Sequence, residues 1–180
     1  MEEKTLSSKY LYDGNIFKLR VDQVSLPNGK KSKREIIEHR GAVAIVPYDE
    51  EGNIICVKQY RKAVEQVVLE IPAGRLKEGE NPEECARREL QEETGFYPAE
   101  LKPVCSFYPA VGYSTEIIHI YKAEKLQKTS FMQRDEGEFI EIVKIPGKKE
   151  AIIDLIQKGD ITDGKTIIGL MLTVFMEERE

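Results

Sequence analysis

Cysteine and histidine are scarce in this 180-residue chain, and the scarcity closes off several chemistries. The three cysteines, Cys56, Cys85 and Cys105, are scattered and show no CxxC spacing. The two histidines, His39 and His119, are far apart in sequence and have no cysteine close by, which argues against a zinc site. The thiols read as reduced, mostly core groups of a cytoplasmic protein. No stretch approaches the apolar length of a membrane span, so no membrane partner is expected. The opening MEEKTLSSKY lacks the apolar centre of a signal peptide. Basic runs are short and the net charge is −5, which argues against a nucleic-acid partner. There is no internal repeat and no low-complexity tract.

What remains is an ordinary globular composition, 41% apolar and 33% charged, in a chain long enough for a real core. Residues 1–40 read as a β-rich segment. Tyr10–Tyr12 and Ile16–Leu26 carry strand-forming residues and are split by Asp13-Gly14-Asn15. Pro27-Asn28-Gly29-Lys30 is a turn, and Lys33–His39 is a third strand. Three strands need something to pack on. From Gly41 to Tyr48 the chain is almost continuously apolar, as in a strand covered on both faces, and Asn53–Tyr60 reads as the return strand. Val67–Ile71, Leu101–Tyr108 and Thr115–Ala123 are further strands, and a polar stretch over 127–138 returns to strand through Val143. Two amphipathic helices close the chain: Lys148–Lys158, stopped by Gly159, and Ile161–Glu177, which opens on Asp163-Gly164-Lys165-Thr166. The apolar face of the second assigns that opening to packing.

The centre of the sequence is Gly74–Phe96, GRLKEGENPEECARRELQEETGF. Asn81 can cap a helix, Pro82 suits its first position, Glu84 lies three residues after the cap, and Gly95 supplies a left-handed stop. Glu89 and Glu93 are one turn apart on one face, and Glu92 borders it. Like charges so stacked repel, unless a hard cation lies between them. Mg²⁺ takes oxygen ligands and suits one or two carboxylates together with a substrate phosphate. Arg88 can pair with the carboxylates and hold their rotamers. A solvated acidic helix would explain the glutamates alone. The whole pattern is more demanding: seven fixed positions filled by residues of roughly 6% abundance coincide by chance on the order of 10⁻⁹ per start site.

That string matches G-x5-E-x7-R-E-U-x-E-E-x-G-U, with U aliphatic or aromatic, at every fixed position, and the chain therefore resembles a Nudix hydrolase. The resemblance implies an α/β Nudix fold over 41–180, a mixed β-sheet sandwiched between α-helices, with the box helix on one face. It also implies cleavage of a nucleoside diphosphate linked to another moiety by water and a divalent metal, Mg²⁺ or, as the carboxylates allow, Mn²⁺. Glu89, Glu92, Glu93 and the carbonyl of Ala73 are then the metal ligands, and Arg88 belongs with the catalytic set. Glu136 aligns with a general base and Glu138 with an auxiliary carboxylate, both in Asp135-Glu136-Gly137-Glu138. Flanking matches point to the ADP-ribose pyrophosphatase branch. In that branch residues 1–40 would serve a homodimer, and Arg34, Arg61 and Glu116 would contact substrate.

The expected reaction is hydrolysis of ADP-ribose to AMP and ribose 5-phosphate. One departure bears on the substrate: Val111 stands where many of these enzymes carry proline, the nearest being Pro109. Another sugar nucleotide or a dinucleoside polyphosphate is therefore the alternative. A nucleotide-sensing module is a further one, against which the intact glutamate set argues.

Overall fold

The computed structural model describes residues 1–129 and 139–177. The chain forms two compact units, Met1–Gly41 with Phe107–Ile117, and Ala42–Ser106 with Ile118–Glu180.

The first unit is built on an antiparallel three-stranded sheet in the order β1 (Lys4–Asp13), β2 (Lys18–Ser25), β3 (Lys31–Glu38). The turn at 26–30 closes as its sequence demands: the Gly29 N–H donates to the Leu26 carbonyl at 2.9 Å with Gly29 at φ +79°, a conformation that suits glycine. Strand β1 is longer than its side chains announce, and all ten of its residues are exposed. The segment over 107–117 is stitched onto β3, where Ile37 N–H donates to the Tyr113 carbonyl and Thr115 N–H to the Ile37 carbonyl.

The second unit holds two sheets. One is mixed and four-stranded, ordered β7-β4-β9-β8, with β4 (Ala42–Pro47), β7 (Ala73–Arg75), β8 (Phe96–Phe107) and β9 (Ile118–Lys128). Strand β4 runs parallel to β9 and antiparallel to β7. The other is three-stranded, ordered β10-β5-β6, with β5 (Asn53–Arg61), β6 (Gln66–Glu70) and β10 (Ile140–Pro146). The apolar run after the turn at 49–53 is thus a strand, but not the hairpin partner of β4. Only a single bridge, Tyr48 to Ile54, joins them before β5 enters the other sheet.

Helices cover both faces of the mixed sheet. Alternation along β4 sends Val43 and Ile45 to one face, where they pack with Cys85, Ala86 and Leu90 of α1 (Pro82–Thr94). Val46 looks to the other face, together with Ile120 and Ile71. There α3 (Gly164–Glu177) comes so close that a Cβ on Gly169 would lie 3.0 Å from both the Val46 and Ile71 side chains. Helix α2 (Lys149–Lys158) ends at Gly159 as expected, with φ +80°. Helix α3 starts at Gly164, three residues later than the Ile161 that hydrophobic periodicity suggests, because Asp163 is its cap. The Asp163 carboxylate accepts the Thr166 N–H at 3.0 Å. Among the described residues no helix is long and apolar enough to cross a membrane.

Candidate active site

The box helix is held where its punctuation says it should be. Asn81 Oδ1 accepts the Glu83 N–H at 2.8 Å, Pro82 opens the helix, and Gly95 ends it at φ +75° with its N–H on the Gln91 carbonyl. The preceding loop folds back over the N-terminal part of α1. Its Lys77 N–H donates to Glu80 Oε2 at 2.8 Å and its Glu80 N–H to the Lys77 carbonyl.

Glu80 is positioned there to meet Arg88. Arg88 Nε donates to Glu80 Oε1 at 2.8 Å and Nη2 to Oε2 at 3.0 Å, a fork-on-fork pair. From the same guanidinium Nη1 donates to Glu89 at 2.6 Å and to Glu92 at 2.8 Å. The bond from Arg88 is the largest of the influences that hold the Glu80 carboxyl at a pKa of about 2, against the opposing effect of burial. Arg88 is raised in turn, first of all by that same bond.

Glu93 lies one turn beyond Glu89 and is only 5% exposed. Its carboxylate accepts the Ala73 N–H at 3.2 Å, which ties the helix to the start of β7. Next in the chain, Gly74 faces Glu89 so closely that any Cβ would overlap the carboxylate. The glycine opening the motif is therefore a requirement for space.

Ala73, Arg88, Glu89, Glu92 and Glu93 thus share one region. Arg61, at the end of β5, carries a half-exposed guanidinium bound to Glu70, with Nε on Oε1 at 2.6 Å and Nη2 on Oε2 at 2.8 Å. Arg34 and Glu116 belong to the first unit. Arg34 is paired with Glu3 and bonded to Ser32 and the Lys33 carbonyl. Glu116 lies 3.5 Å from His39 Nδ1. Val111 is exposed. Glu136 and Glu138 lie outside the described residues. The partners that sequence reasoning passed over are Glu80, as the anchor of Arg88, and Lys165, which donates to Glu70 and Asp163. A signal for Lys165 was available, since a lysine in a helix's first turn opposes the macrodipole and needs acidic neighbours.

The donor chemistry fits a hard divalent cation. Three carboxylates converge on the Arg88 guanidinium and a fourth, Glu93, is held on the Ala73 N–H, so four oxygen-donor side chains lie on the box loop and helix. Gly74 leaves room for the Glu89 carboxylate. Among the described residues no three His, Cys, Asp or Glu side chains already converge as a metal cluster. Glu89 and Glu92 are turned onto Arg88, and Glu93 onto the Ala73 N–H.

Residues 38–160 match the model of the NUDIX domain, and residues 3–37 match that of the nucleoside diphosphate sugar hydrolase N-terminal domain. The chain belongs to the Nudix hydrolase family, whose members work with a divalent metal. Its similarities within that family are more particular. It is 42% identical over 167 residues to the ADP-ribose pyrophosphatase of Bacillus subtilis (strain 168), covering 92% of this chain and 89% of that one. It is 40% identical over 177 residues to the methanol dehydrogenase activator of Bacillus methanolicus, covering 98% and 95%. A crystal structure of an ADP compounds hydrolase superposes with a TM-score of 0.87 at 24% identity, covering 99% of this chain and 96% of that one, and shares its fold.

Proposed function

We propose that this protein hydrolyses the pyrophosphate bond of ADP-ribose to AMP and ribose 5-phosphate, with Mg²⁺ as its metal. The observation that carries the reading is the box cluster, in which Glu80, Glu89 and Glu92 converge on Arg88 and Glu93 is held on the Ala73 N–H beside Gly74. The Bacillus ADP-ribose pyrophosphatase supports the substrate.

In this reading Glu89, Glu92, Glu93 and the Ala73 carbonyl hold the metal. Bound there, a divalent cation supplies charge neutralisation for the pyrophosphate and makes an attacking water more acidic. Arg88 keeps Glu89 and Glu92 at hand while Glu80 fixes Arg88, so the ligand carboxylates wait in a narrow range of rotamers. Glu136 accepts the proton of the attacking water on its carboxylate, with Glu138 as auxiliary, a role worth roughly 10²–10⁴-fold in rate. Arg61, together with Arg34 and Glu116, contacts the substrate. Arg61 is suited to this because Glu70 takes only its Nε and Nη2, which leaves Nη1 for an anionic oxygen.

Residues 1–40 act as a dimerising segment and 41–180 as the hydrolase domain. Supporting a homodimer, β1 and the turn after it leave Leu6, Tyr10, Leu11, Tyr12, Ile16 and Phe17 exposed. A cytoplasmic setting is supported by the three unpaired thiols. For Cys56, burial pushes the pKa up to about 12, so the group stays a neutral thiol.

A second substrate reading, another nucleoside diphosphate sugar, is favoured by Val111. A turnover assay with Mg²⁺ decides between them. AMP and ribose 5-phosphate formed from ADP-ribose faster than products from GDP-mannose or a dinucleoside polyphosphate is the expected result. Preference for another panel member would replace ADP-ribose, and no turnover of any would overturn the reading.

A further inference from the structure

The turn that opens α3, Asp163-Gly164-Lys165-Thr166, does more than its helix needs. Asp163 Oδ2 accepts the Thr166 N–H at 3.0 Å and the Thr166 hydroxyl at 2.6 Å, which caps the helix. The same Thr166 hydroxyl oxygen accepts the Ile71 N–H at 3.0 Å, two residues before Ala73. The helix start is thereby fastened to the strand that leads into the box.

Lys165 reaches in the same direction. Its ammonium donates to Asp163 Oδ2 at 3.0 Å and to Glu70 Oε2. Glu70 is 2% exposed and receives Arg61 on the same carboxylate. A carboxylate so buried is costly unless it is paired and bonded, and here it has two cations. Arg61 stands opposite Gln66 in the β5–β6 pair, and Glu70 lies four residues further along β6. The arginine side chain therefore folds back along the sheet to be caught. Lys165 and Arg61 thus hold the same Glu70 carboxylate, and the Arg61 bonds to it use Nε and Nη2, not Nη1.

We propose that Lys165 is a positioning residue: through Glu70 it fixes the guanidinium of Arg61 in the orientation that receives an anionic oxygen of the substrate. This rests on the role given to Arg61 above. Glu70 ionises more readily than its burial alone would allow, because the Arg61 bond and Lys165 outweigh that burial. The arrangement joins two carboxylates, Glu70 and Asp163, to two cations, Arg61 and Lys165, and Glu93 also acts on Arg61.

The test combines kinetics with a probe that needs no turnover. Lys165→Met keeps the length of the side chain and removes its charge. It is expected to raise KM for ADP-ribose roughly tenfold, the scale of one hydrogen bond to a charged group. It should leave kcat within about threefold. In an Arg61→Ala background the same change should move KM less than about twofold, because its route is already cut. Lys165→Arg should restore most of the KM. In the ligand-free protein, Lys165→Met should also speed hydrogen exchange of the Arg61 Nε–H, followed by NMR. Equal losses in both backgrounds, or unchanged exchange at Arg61, would overturn the proposal. Should Lys165→Met not fold, Glu70→Gln carries the same comparison. If the wild-type protein turns over no substrate, the proposed function fails on its own, and the exchange measurement still decides the role of Lys165.

Discussion

Two clusters of carboxylates and arginine lie within the second unit, and they are built on opposite plans. Around Arg88 three glutamates share one guanidinium, with Glu93 alongside. Around Glu70 two carboxylates meet two cations. The first gathers several carboxylates on one partly exposed guanidinium; the second builds on one buried carboxylate held by two cations. Like charges stacked along α1 repel, a cost that a bound cation would offset. A buried carboxylate held by two cations is fixed in place. In the proposed reading the first cluster serves the chemistry and the second supports it, although both contain the same residue types.

The largest expected effect tests the box carboxylates as metal ligands. Glu93→Gln keeps the shape of the side chain and an oxygen for the Ala73 N–H, so the fold should hold while one ligand charge disappears. Turnover of ADP-ribose is expected to fall roughly 10⁴-fold or more, about 5 kcal/mol of barrier, and Mn²⁺ titration followed by EPR should show weakened binding. Glu136→Gln is expected to slow turnover about 10³-fold, within the usual range for a general base, with Mn²⁺ affinity unchanged. Equal loss of metal affinity in both variants would erase the division of roles between them.

Gly74→Ala comes next and asks whether the cluster depends on space as well as charge. The added Cβ overlaps the Glu89 carboxylate and must displace it. Misplacing a catalytic group by about 1 Å can cost on the order of 10²-fold, and that is the expected fall in kcat/KM, with a matching rise in the Mg²⁺ concentration needed for half-maximal rate. Full activity in Gly74→Ala would show that Glu89 has another rotamer from which it works equally well.

The two clusters also differ in how readable they were. The Arg88 cluster is local: Glu80, Arg88, Glu89 and Glu92 fall within one loop and helix, so spacing places them near one another, although it does not name Glu80 as the anchor. The Glu70 cluster is not. Glu70 and Lys165 are 95 residues apart, and nothing in the periodicity of either segment names the other. The same limit applies to the fold. The N-terminal hairpin, the box helix and the glycine stops at 95 and 159 follow from neighbouring residues. Strand β7 was passed over because three residues are too few to show a period. That β5 joins β6 and β10 rather than β4 was invisible, because buried strands on either side of a turn read alike whichever sheet they enter. Helix α3 begins at Gly164 because of a cap, Asp163, whose bonds go to its near neighbours Lys165 and Thr166, while those two residues reach the distant Glu70 and Ile71.

The smallest effect concerns what holds the Arg88 cluster together before any metal arrives. In the folded protein the Arg88 bond is the main influence that keeps Glu80 at a pKa of about 2, against an ordinary value of 4.5. A depressed carboxylate pKa contributes stability that is fully present above the unfolded value and is lost as pH falls through the folded one. The window is therefore from about pH 4.5 down to about pH 2. Glu80→Gln should unfold at lower urea than wild type near neutral pH, and the gap between the two should narrow through that window as wild-type Glu80 takes up its proton. Glu70 is also depressed, so wild type and variant alike should lose some stability in acid. The difference between their urea midpoints isolates the Glu80 share. A gap that stays constant with pH would mean that Glu80 supports the loop through its shape and its bond to the Lys77 N–H, and that the fork with Arg88 contributes no ionic stabilisation.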